Sequence, residues 1–212
     1  MDRRNGSVGT QIIVKPDNTI VMEDFEIRQP GRGEVLIETV STLISAGTEL
    51  GTQEQPRTNG FAPGYSNAGK IIAIGSDIND YAVGDRVLSL GRHATHVTTS
   101  ATAQSLAIIP DDLTFDQGAY GVLGSVSLHG VRRAKVELGE FVAITGMGIV
   151  GQLALQLVSQ TGCEILIALD LSDQRLRVAE DSGATHVLNP QHVDVYSEIN
   201  RITGGRGIDL VI

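Results

Sequence analysis

Three glycines near the middle of the chain, Gly146, Gly148 and Gly151, have the spacing G-x-G-x-x-G within the segment AITGMGIVGQ. The spacing alone is weak evidence, because the chain has 25 glycines and a packing turn could use them equally well. The context is more specific, since an apolar strand pattern (FVAIT) comes directly before the motif and a helical pattern (IVGQLALQLVSQ) directly after it. The sequence therefore predicts a turn that holds a dinucleotide pyrophosphate at a helix N-terminus. The expected contact residues are Gly146, Met147, Gly148, Ile149, Val150 and Gly151.

Asp170 lies 19 residues after Gly151, at the end of a second apolar strand pattern, EILIALD. A carboxylate in this place can accept hydrogen bonds from both hydroxyls of an adenosine ribose, and it repels the additional phosphate of NADP. We therefore expect NAD as the cofactor, with NADP less favoured. A role for Asp170 in a turn or as a helix cap is the alternative, and the two roles are compatible.

The two halves of the chain have different hydrophobic periods. Residues 1–118 contain many short β-branched segments separated by turn signals, which predicts a small antiparallel barrel or sandwich. Residues 119–212 alternate apolar strands with helices of about ten residues, which is typical of βαβ units and a parallel sheet. The predicted fold is thus a β domain followed by an α/β domain, with a bridging helix that starts near residue 112. The segments predicted as strands are 10–15, 19–27, 34–40, 70–75, 85–90, 95–100, 105–110, 141–145, 164–170, 186–189 and 207–212, and those predicted as helices in the second half are 149–160, 173–183 and 195–203.

The composition argues against several classes of function. A net charge of −9, from 16 basic and 25 acidic residues, is unsuited to binding nucleic acid. No apolar run approaches the roughly 18 residues of a membrane span, and the N-terminus lacks the apolar core of a signal peptide, so we expect a cytoplasmic protein. The single cysteine, Cys163, excludes an intrachain disulfide and any zinc site that needs two or more cysteines.

Several segments together resemble the medium-chain dehydrogenase/reductase family: ISAGTEL, PGYSNAGKIIAIG, VGDRV, GVRRAKVELGE, GMGIVG and ALDLSDQRLRVAEDSGATHVLNP. The resemblance covers nearly the whole chain and implies a GroES-like β-barrel followed by a Rossmann domain. LISAGTEL and PGYSNAG are more similar to a zinc-lacking branch, which includes bacteriochlorophyllide dehydrogenase-like and bi-domain oxidoreductases, than to the main alcohol dehydrogenases.

The positions that hold catalytic zinc in this family correspond here to Ala46, Tyr65 and a residue near Gly121, none of which is a useful zinc ligand. The cysteine-rich structural zinc lobe would lie between Leu90 and His93, where the chain is too short for it. The resemblance therefore implies an enzyme without zinc.

Other family positions retain suitable side chains. Thr48 matches a hydroxyl that relays the substrate proton, Ser125 matches a hydroxyl near the nicotinamide, and Arg175 matches a basic residue near the adenosine ribose. Without a metal, Thr48 and Tyr65 are the candidates for donating a hydrogen bond to the substrate oxygen. Glu49 matches the acid behind the metal, and here we expect it to form a structural ion pair or, as the alternative, to act in catalysis.

Two histidines lie close together in the segment GRHATHV. His93 and His96 are three residues apart on an apparent strand, so they should point to opposite faces and be poor joint metal ligands. His93, at a loop end, could still face the cleft.

The predicted activity is hydride transfer between a nicotinamide cofactor and a small alcohol or carbonyl compound. Family members continue well beyond Ile212, so the resemblance implies an incomplete Rossmann domain, and the chain could be inactive as it stands. A short form that binds nucleotide without turnover, as a sensing or interaction module, and a glycine motif that is only a packing turn are the alternatives. The expected partner is a small-molecule substrate rather than nucleic acid or membrane, and the chain could form a homo-oligomer.

Overall fold

The computed structural model describes residues 8–53 and 59–212, with the side chains of residues 52 and 53 left aside. Its contacts divide the chain into two compact units, Met1–Val122 and Leu123–Ile212. The sequence predicted this division between residues 118 and 119, and the structure instead places it inside a helix that runs from Gly121 to Ala134.

In the part of the N-terminal unit that the structure describes, there are seven strands and two short helices. In chain order these elements are β1 (Val8–Val14), β2 (Ile20–Glu26), β3 (Glu34–Thr42), α1 (Ala46–Gln53), β4 (Asn67–Ile74), β5 (Arg86–Ser89), β6 (His96–Ser100), β7 (Leu106–Ile108) and α2 (Phe115–Ala119). Strands β6, β3, β4, β5 and β7 form one antiparallel sheet in that order, and β1 and β2 form a separate hairpin.

The larger sheet is irregular where β3 pairs with β4. Its pairing of β3 with β4 shifts register twice, between Leu36 and Ile37 and between Thr39 and Ser41. Such bulges increase the local twist and bend the strand. The hairpin joins this sheet through residues 93–95, because Ile12 N–H donates to the His93 carbonyl and Thr95 N–H to the Thr10 carbonyl, both at 2.9 Å.

The core of the N-terminal unit follows the apolar residues of the central strands. Val35, Leu36 and Ile37 of β3 are all buried, and Val35 and Ile37 lie on the same face of the sheet. One cluster contains Val35, Ile37, Ile71, Val87 and Leu106. A second cluster, of Ala68, Ile109 and Ala119, packs the short helix α2 against the sheet.

The C-terminal unit alternates helices and strands, as predicted. Its elements are α3 (Gly121–Ala134), β8 (Phe141–Thr145), α4 (Ile149–Val158), β9 (Ile165–Leu169), α5 (Asp173–Asp181), β10 (His186–Leu188), α6 (Val195–Ile202) and β11 (Leu210–Val211). The sheet is parallel with the order β10–β9–β8–β11. The order places the first strand of the unit, β8, between β9 and β11, so the direction of chain winding reverses beside it.

Both faces of this sheet are covered, which explains the continuous apolar runs in β8 and β9. Val142 and Ile144 pack on one face with the helix residues Leu155, Val158 and Leu176. Ala143, Ile167 and Leu188 pack on the other face. Strands buried on both sides lack the alternating pattern of a half-exposed sheet.

None of the helices within residues 8–53 and 59–212 is long and apolar enough to cross a membrane.

Candidate functional site

The turn after β8 has the geometry that the glycine spacing predicted. Gly146 has a φ of +87°, a backbone conformation that other residues rarely adopt. A side chain on Gly151 would clash with the Gly146 carbonyl oxygen, so glycine is required for α4 to start this close to the turn. The two glycines together place the N-terminus of α4 at the carboxyl end of β8.

The space in front of α4 is open. Gly148 is the N-cap of the helix and forms no side-chain cap hydrogen bond, and a Cβ atom added to it would have no neighbour within 4 Å. The first amides of a helix have no carbonyl partner within the helix, and they present a partial positive charge. Ile149 and Val150, in this first turn, are 37% and 44% exposed. The loop therefore fits an anionic pyrophosphate.

Asp170 lies at the end of β9 and is bound to the glycine loop. Its Oδ2 accepts a hydrogen bond from Met147 N–H at 2.7 Å, and its Oδ1 accepts one from Ser172 N–H at 2.7 Å. The Met147 side chain is 1% exposed and its amide is engaged by Asp170, so Met147 contributes to the shape of the loop. Asp170 thus has the turn-forming role that the sequence left open as an alternative. A carboxylate has about four acceptor positions, so both oxygens keep capacity for ribose hydroxyls.

The charge of Asp170 is maintained in this environment. Burial of the carboxyl would raise its pKa, but the Ser172 and Met147 amides and the nearby Arg175 guanidinium outweigh burial, and the pKa is lowered. The Arg175 side chain is 59% exposed, and its nitrogen lies 3.7 Å from Asp170 Oδ2. The predicted acid and the predicted basic residue of the ribose site are therefore neighbours.

Ser125 lies in the same unit, exposed on α3. It lines a cavity of about 490 Å³ together with Leu128, His129, Arg132 and Arg133.

The N-terminal unit brings together the two predicted catalytic hydroxyls. Thr48 lies on α1, and Tyr65 lies in the loop before β4. The Thr48 Oγ1 and Tyr65 OH atoms are 3.4 Å apart, within reach of a weak hydrogen bond. Residues that are 17 positions apart in the chain therefore form one hydroxyl pair.

Glu49, the residue after Thr48, lies within hydrogen-bond distance of the His93 ring. Glu49 Oε2 lies 3.0 Å from His93 Nε2, and the side chains are 11% and 5% exposed. His93 Nδ1 also lies 2.9 Å from Thr42 Oγ1. Glu49 thus contacts a specific side chain, that of His93, which the sequence did not identify as its partner. The assumption that His93 and His96 share a strand was wrong, because β6 begins at His96 and His93 is buried in the preceding segment.

The positions that correspond to zinc ligands in the resembling family are Ala46, Tyr65 and the region of Gly121. Ala46 begins α1 and Gly121 begins α3, and neither side chain has a donor atom. Within the described ranges 8–53 and 59–212, no cluster of three or more His, Cys, Asp or Glu residues could hold a metal ion.

The chain is similar to known dehydrogenases in both sequence and structure. Residues 150–212 match the zinc-binding dehydrogenase family. D-guloside 3-dehydrogenase of Escherichia coli is 35% identical over 153 residues, which are 72% of this chain and 44% of that protein. Sorbitol dehydrogenase of Bacillus subtilis is 30% identical over an alignment of 226 positions, which covers 90% of this chain and 64% of that protein. The chain belongs to the medium-chain dehydrogenase/reductase family.

The solved structures agree on the fold. The Escherichia coli quinone oxidoreductase, solved in complex with NADPH, superposes with a TM-score of 0.78 at 22% identity and covers 94% of this chain and 64% of that chain. The predicted GroES-like and Rossmann architecture is thereby confirmed. The chain spans between 44% and 64% of the length of these two dehydrogenases and of the oxidoreductase.

Proposed function

We propose that the chain binds a nicotinamide dinucleotide, NAD in preference to NADP, and takes part in hydride transfer to or from a small alcohol or carbonyl compound without a catalytic zinc. The observation that carries the proposal is the glycine turn, which presents free helix amides beside an ionised Asp170. The homologues are oxidoreductases, which supports a nicotinamide cofactor in general.

The residues of the C-terminal unit would bind and orient the cofactor. The amides at Gly148, Ile149 and Val150 would hold the pyrophosphate, because the helix N-terminus offers donors and a positive dipole end. Asp170 would accept the ribose hydroxyls and, because its pKa is lowered, would repel a ribose phosphate. The preference for NAD depends on this carboxylate.

The nicotinamide ring, when bound, supplies or accepts the hydride. The hydroxyls of Thr48 and Tyr65 would hold the substrate oxygen, either by donating a hydrogen bond to a carbonyl oxygen or by accepting one from an alcohol. A positioned donor of this kind stabilises negative charge on the reacting oxygen. We propose these two residues for that role because they are the hydroxyl pair next to the former zinc positions.

The names of the relatives favour an alcohol as the substrate. Those proteins are called a guloside and a sorbitol dehydrogenase, and both substrates are polyhydroxylated. A sugar or polyol is therefore the first substrate class to assay.

The cofactor site can be tested with two alanine variants of the full chain. Gly148→Ala should leave the fold intact, because the residue has a φ of −74° and open space beside it. The added methyl would occupy the place of the pyrophosphate, so we expect NADH affinity to fall at least about tenfold, or about 1.4 kcal/mol. Fluorescence titration with NADH measures this change.

Gly130→Ala is the matched control, because it also adds a methyl to open space in the same unit. It should bind NADH as the wild type does. Equal affinity of Gly148→Ala and wild type, or an absence of saturable binding to the wild type at millimolar NADH, would refute the proposed site. Saturable binding with no turnover of any alcohol or carbonyl compound would favour a non-catalytic nucleotide-binding role.

A further inference from the structure

His93 connects three segments of the N-terminal unit that surround the Thr48–Tyr65 hydroxyl pair. Its ring lies 2.9 Å from Thr42 Oγ1 at the end of β3 and 3.0 Å from Glu49 Oε2 on α1. Its backbone N–H donates to the Pro63 carbonyl at 2.9 Å. The side chain is 5% exposed, so these contacts are shielded from water.

On the α1 side, the His93 ring contacts Glu49, which directly follows Thr48 in the chain. Glu49 Oε1 accepts a hydrogen bond from Ser45 N–H at 2.7 Å, while its other oxygen faces the His93 ring. Both carboxylate oxygens are thus fixed, and the first turn of α1 cannot rotate without breaking one of these bonds. Because a hydrogen bond weakens steeply when its angle departs from linearity, these contacts restrict the orientation of α1.

On the loop side, the ring packs against the residue before Tyr65. Gly64 has a φ of +101°, and a Cβ atom added to it would lie 2.6 Å from His93 N and 2.9 Å from the ring. The loop at Gly64 therefore packs directly against His93. Its position is also fixed by the bond from His93 N–H to the Pro63 carbonyl.

We propose that His93 is a positioning residue that sets the relative placement of the Thr48 and Tyr65 hydroxyls. It fixes α1 through Glu49 and fixes the loop of residues 63–65 through its backbone and ring face. The expected effect of this placement on catalysis rests on the proposed function. The positioning of the two hydroxyls by His93 does not depend on it. A histidine that only stabilises the fold would affect the whole unit equally, and this difference can be measured.

Two isosteric variants separate the contacts of the ring. Glutamine places its amide near the position of Nε2 and can still donate to Glu49, whereas asparagine places its amide near Nδ1 and reaches only toward Thr42. His93→Gln should therefore keep α1 in place, and His93→Asn should release it. His96→Ala is the control, since His96 lies three residues away and its ring contacts the neighbouring Thr95.

The first readout is the NMR spectrum of the full chain with ¹³C-labelled tyrosine, which requires neither cofactor nor substrate. Tyr65 reports on the hydroxyl pair, and Tyr81, whose hydroxyl donates to the Leu106 carbonyl at 3.1 Å, reports on the rest of the same unit. We expect the Tyr65 signal to shift in His93→Asn and to return to its wild-type position in His93→Gln. The Tyr81 signal should stay in place in both variants and in His96→Ala.

The second readout is turnover of sorbitol with NAD. We expect His93→Asn to lower kcat by about a hundredfold, the loss typical of a misplacement of about 1 Å, with NADH affinity and KM unchanged. An unmoved Tyr65 signal in folded His93→Asn, equal movement of the Tyr65 and Tyr81 signals, or identical behaviour of His93→Asn and His93→Gln would overturn the proposal. If the wild type fails to bind NADH, the proposed function falls, while the NMR comparison still decides the role of His93.

Discussion

At the scale of single residues, Asp170 has the turn-forming role that the sequence suggested, and we propose that it also binds the cofactor ribose. Its hydrogen bonds to Met147 and Ser172, both 2.7 Å, close the glycine loop onto the end of β9. The remaining lone pairs of the same oxygens would serve the ribose. The position of Asp170 was predictable, because a strand end followed by a helix start is visible in the sequence, but its bond to the loop amide was not.

Replacing Asp170 by alanine tests its place in the cofactor site. We expect NAD binding to weaken by about 1–3 kcal/mol, the usual cost of leaving polar groups without their partner, and the preference for NAD over NADP to decrease. Titration calorimetry with both cofactors measures the two effects. Glu180→Ala, on the exposed side of α5, is the control, and unchanged NAD affinity of the Asp170 variant would remove this residue from the site.

The contribution of Asp170 to the free energy of unfolding should depend on pH in a definite direction. Its pKa is lowered in the folded protein because hydrogen bonds and Arg175 outweigh the effect of burial, so the native state favours the ionised form. The stability that the carboxylate contributes is present at neutral pH and is lost as the pH falls below the ordinary value of 3.8. We therefore expect Asp170→Ala to lower the free energy of unfolding, measured with urea, by a constant amount between about pH 5 and pH 8. The loss should become smaller under more acidic conditions.

The residue pair that sequence reasoning missed, His93 and Glu49, shows the limit of spacing arguments. The two residues are 44 positions apart and belong to different local segments, so no helical or strand period connects them. Only the folded β unit brings them together. The glycine motif was found because its three residues act within a single turn.

At the scale of elements, the βαβ units were read most accurately from the sequence. Strand β8 has the predicted bounds, Phe141–Thr145, and α4 starts at Ile149 as predicted. The continuous apolar runs of these strands reflect burial on both faces of the sheet. The helices are visible because their apolar residues recur with the helical period. Helix α1 was not predicted, because the segment AGTELGTQ contains two glycines and two threonines, which are poor helix formers.

The bridging helix also differs from the prediction. The structure has two helices, because α2 ends at Ala119 and α3 starts at Gly121. The first begins with a capping box, in which the Thr114 side chain accepts from Gln117 N–H and the Gln117 side chain accepts from Thr114 N–H. This cap places the start at residue 115 rather than 112.

The contact between α4 and the glycine turn can be tested by its effect on stability. Gly151→Ala would push a methyl into the Gly146 carbonyl, and overpacking of this kind costs about 1–3 kcal/mol. We expect urea unfolding to show such a loss, with weaker NADH binding as a consequence. Gly130→Ala, in a helix and with open space around its Cβ position, should be at least as stable as the wild type, and a Gly151→Ala variant as stable as wild type would contradict the close packing.

At the scale of the whole molecule, a β unit and a parallel α/β unit were both predictable from period and composition. Their assignment to the medium-chain dehydrogenase/reductase family follows from the relatives. The exact division between the units was not predictable, because the helical period continues without a break across Val122 and Leu123. The family model that matches residues 150–212 is that of zinc-binding dehydrogenases. The expectation of an enzyme without zinc rests on the resemblance, which aligns two of the family's ligand positions with Ala46 and Tyr65.

The most direct test of the account is an NADH titration of purified full chain whose zinc content has been measured on the same sample. We expect one NADH bound per chain and zinc far below one equivalent, with the affinity unaffected by a chelator. A lack of saturation at millimolar NADH, or a full equivalent of zinc whose removal abolishes binding, would contradict a metal-free cofactor site at the glycine turn.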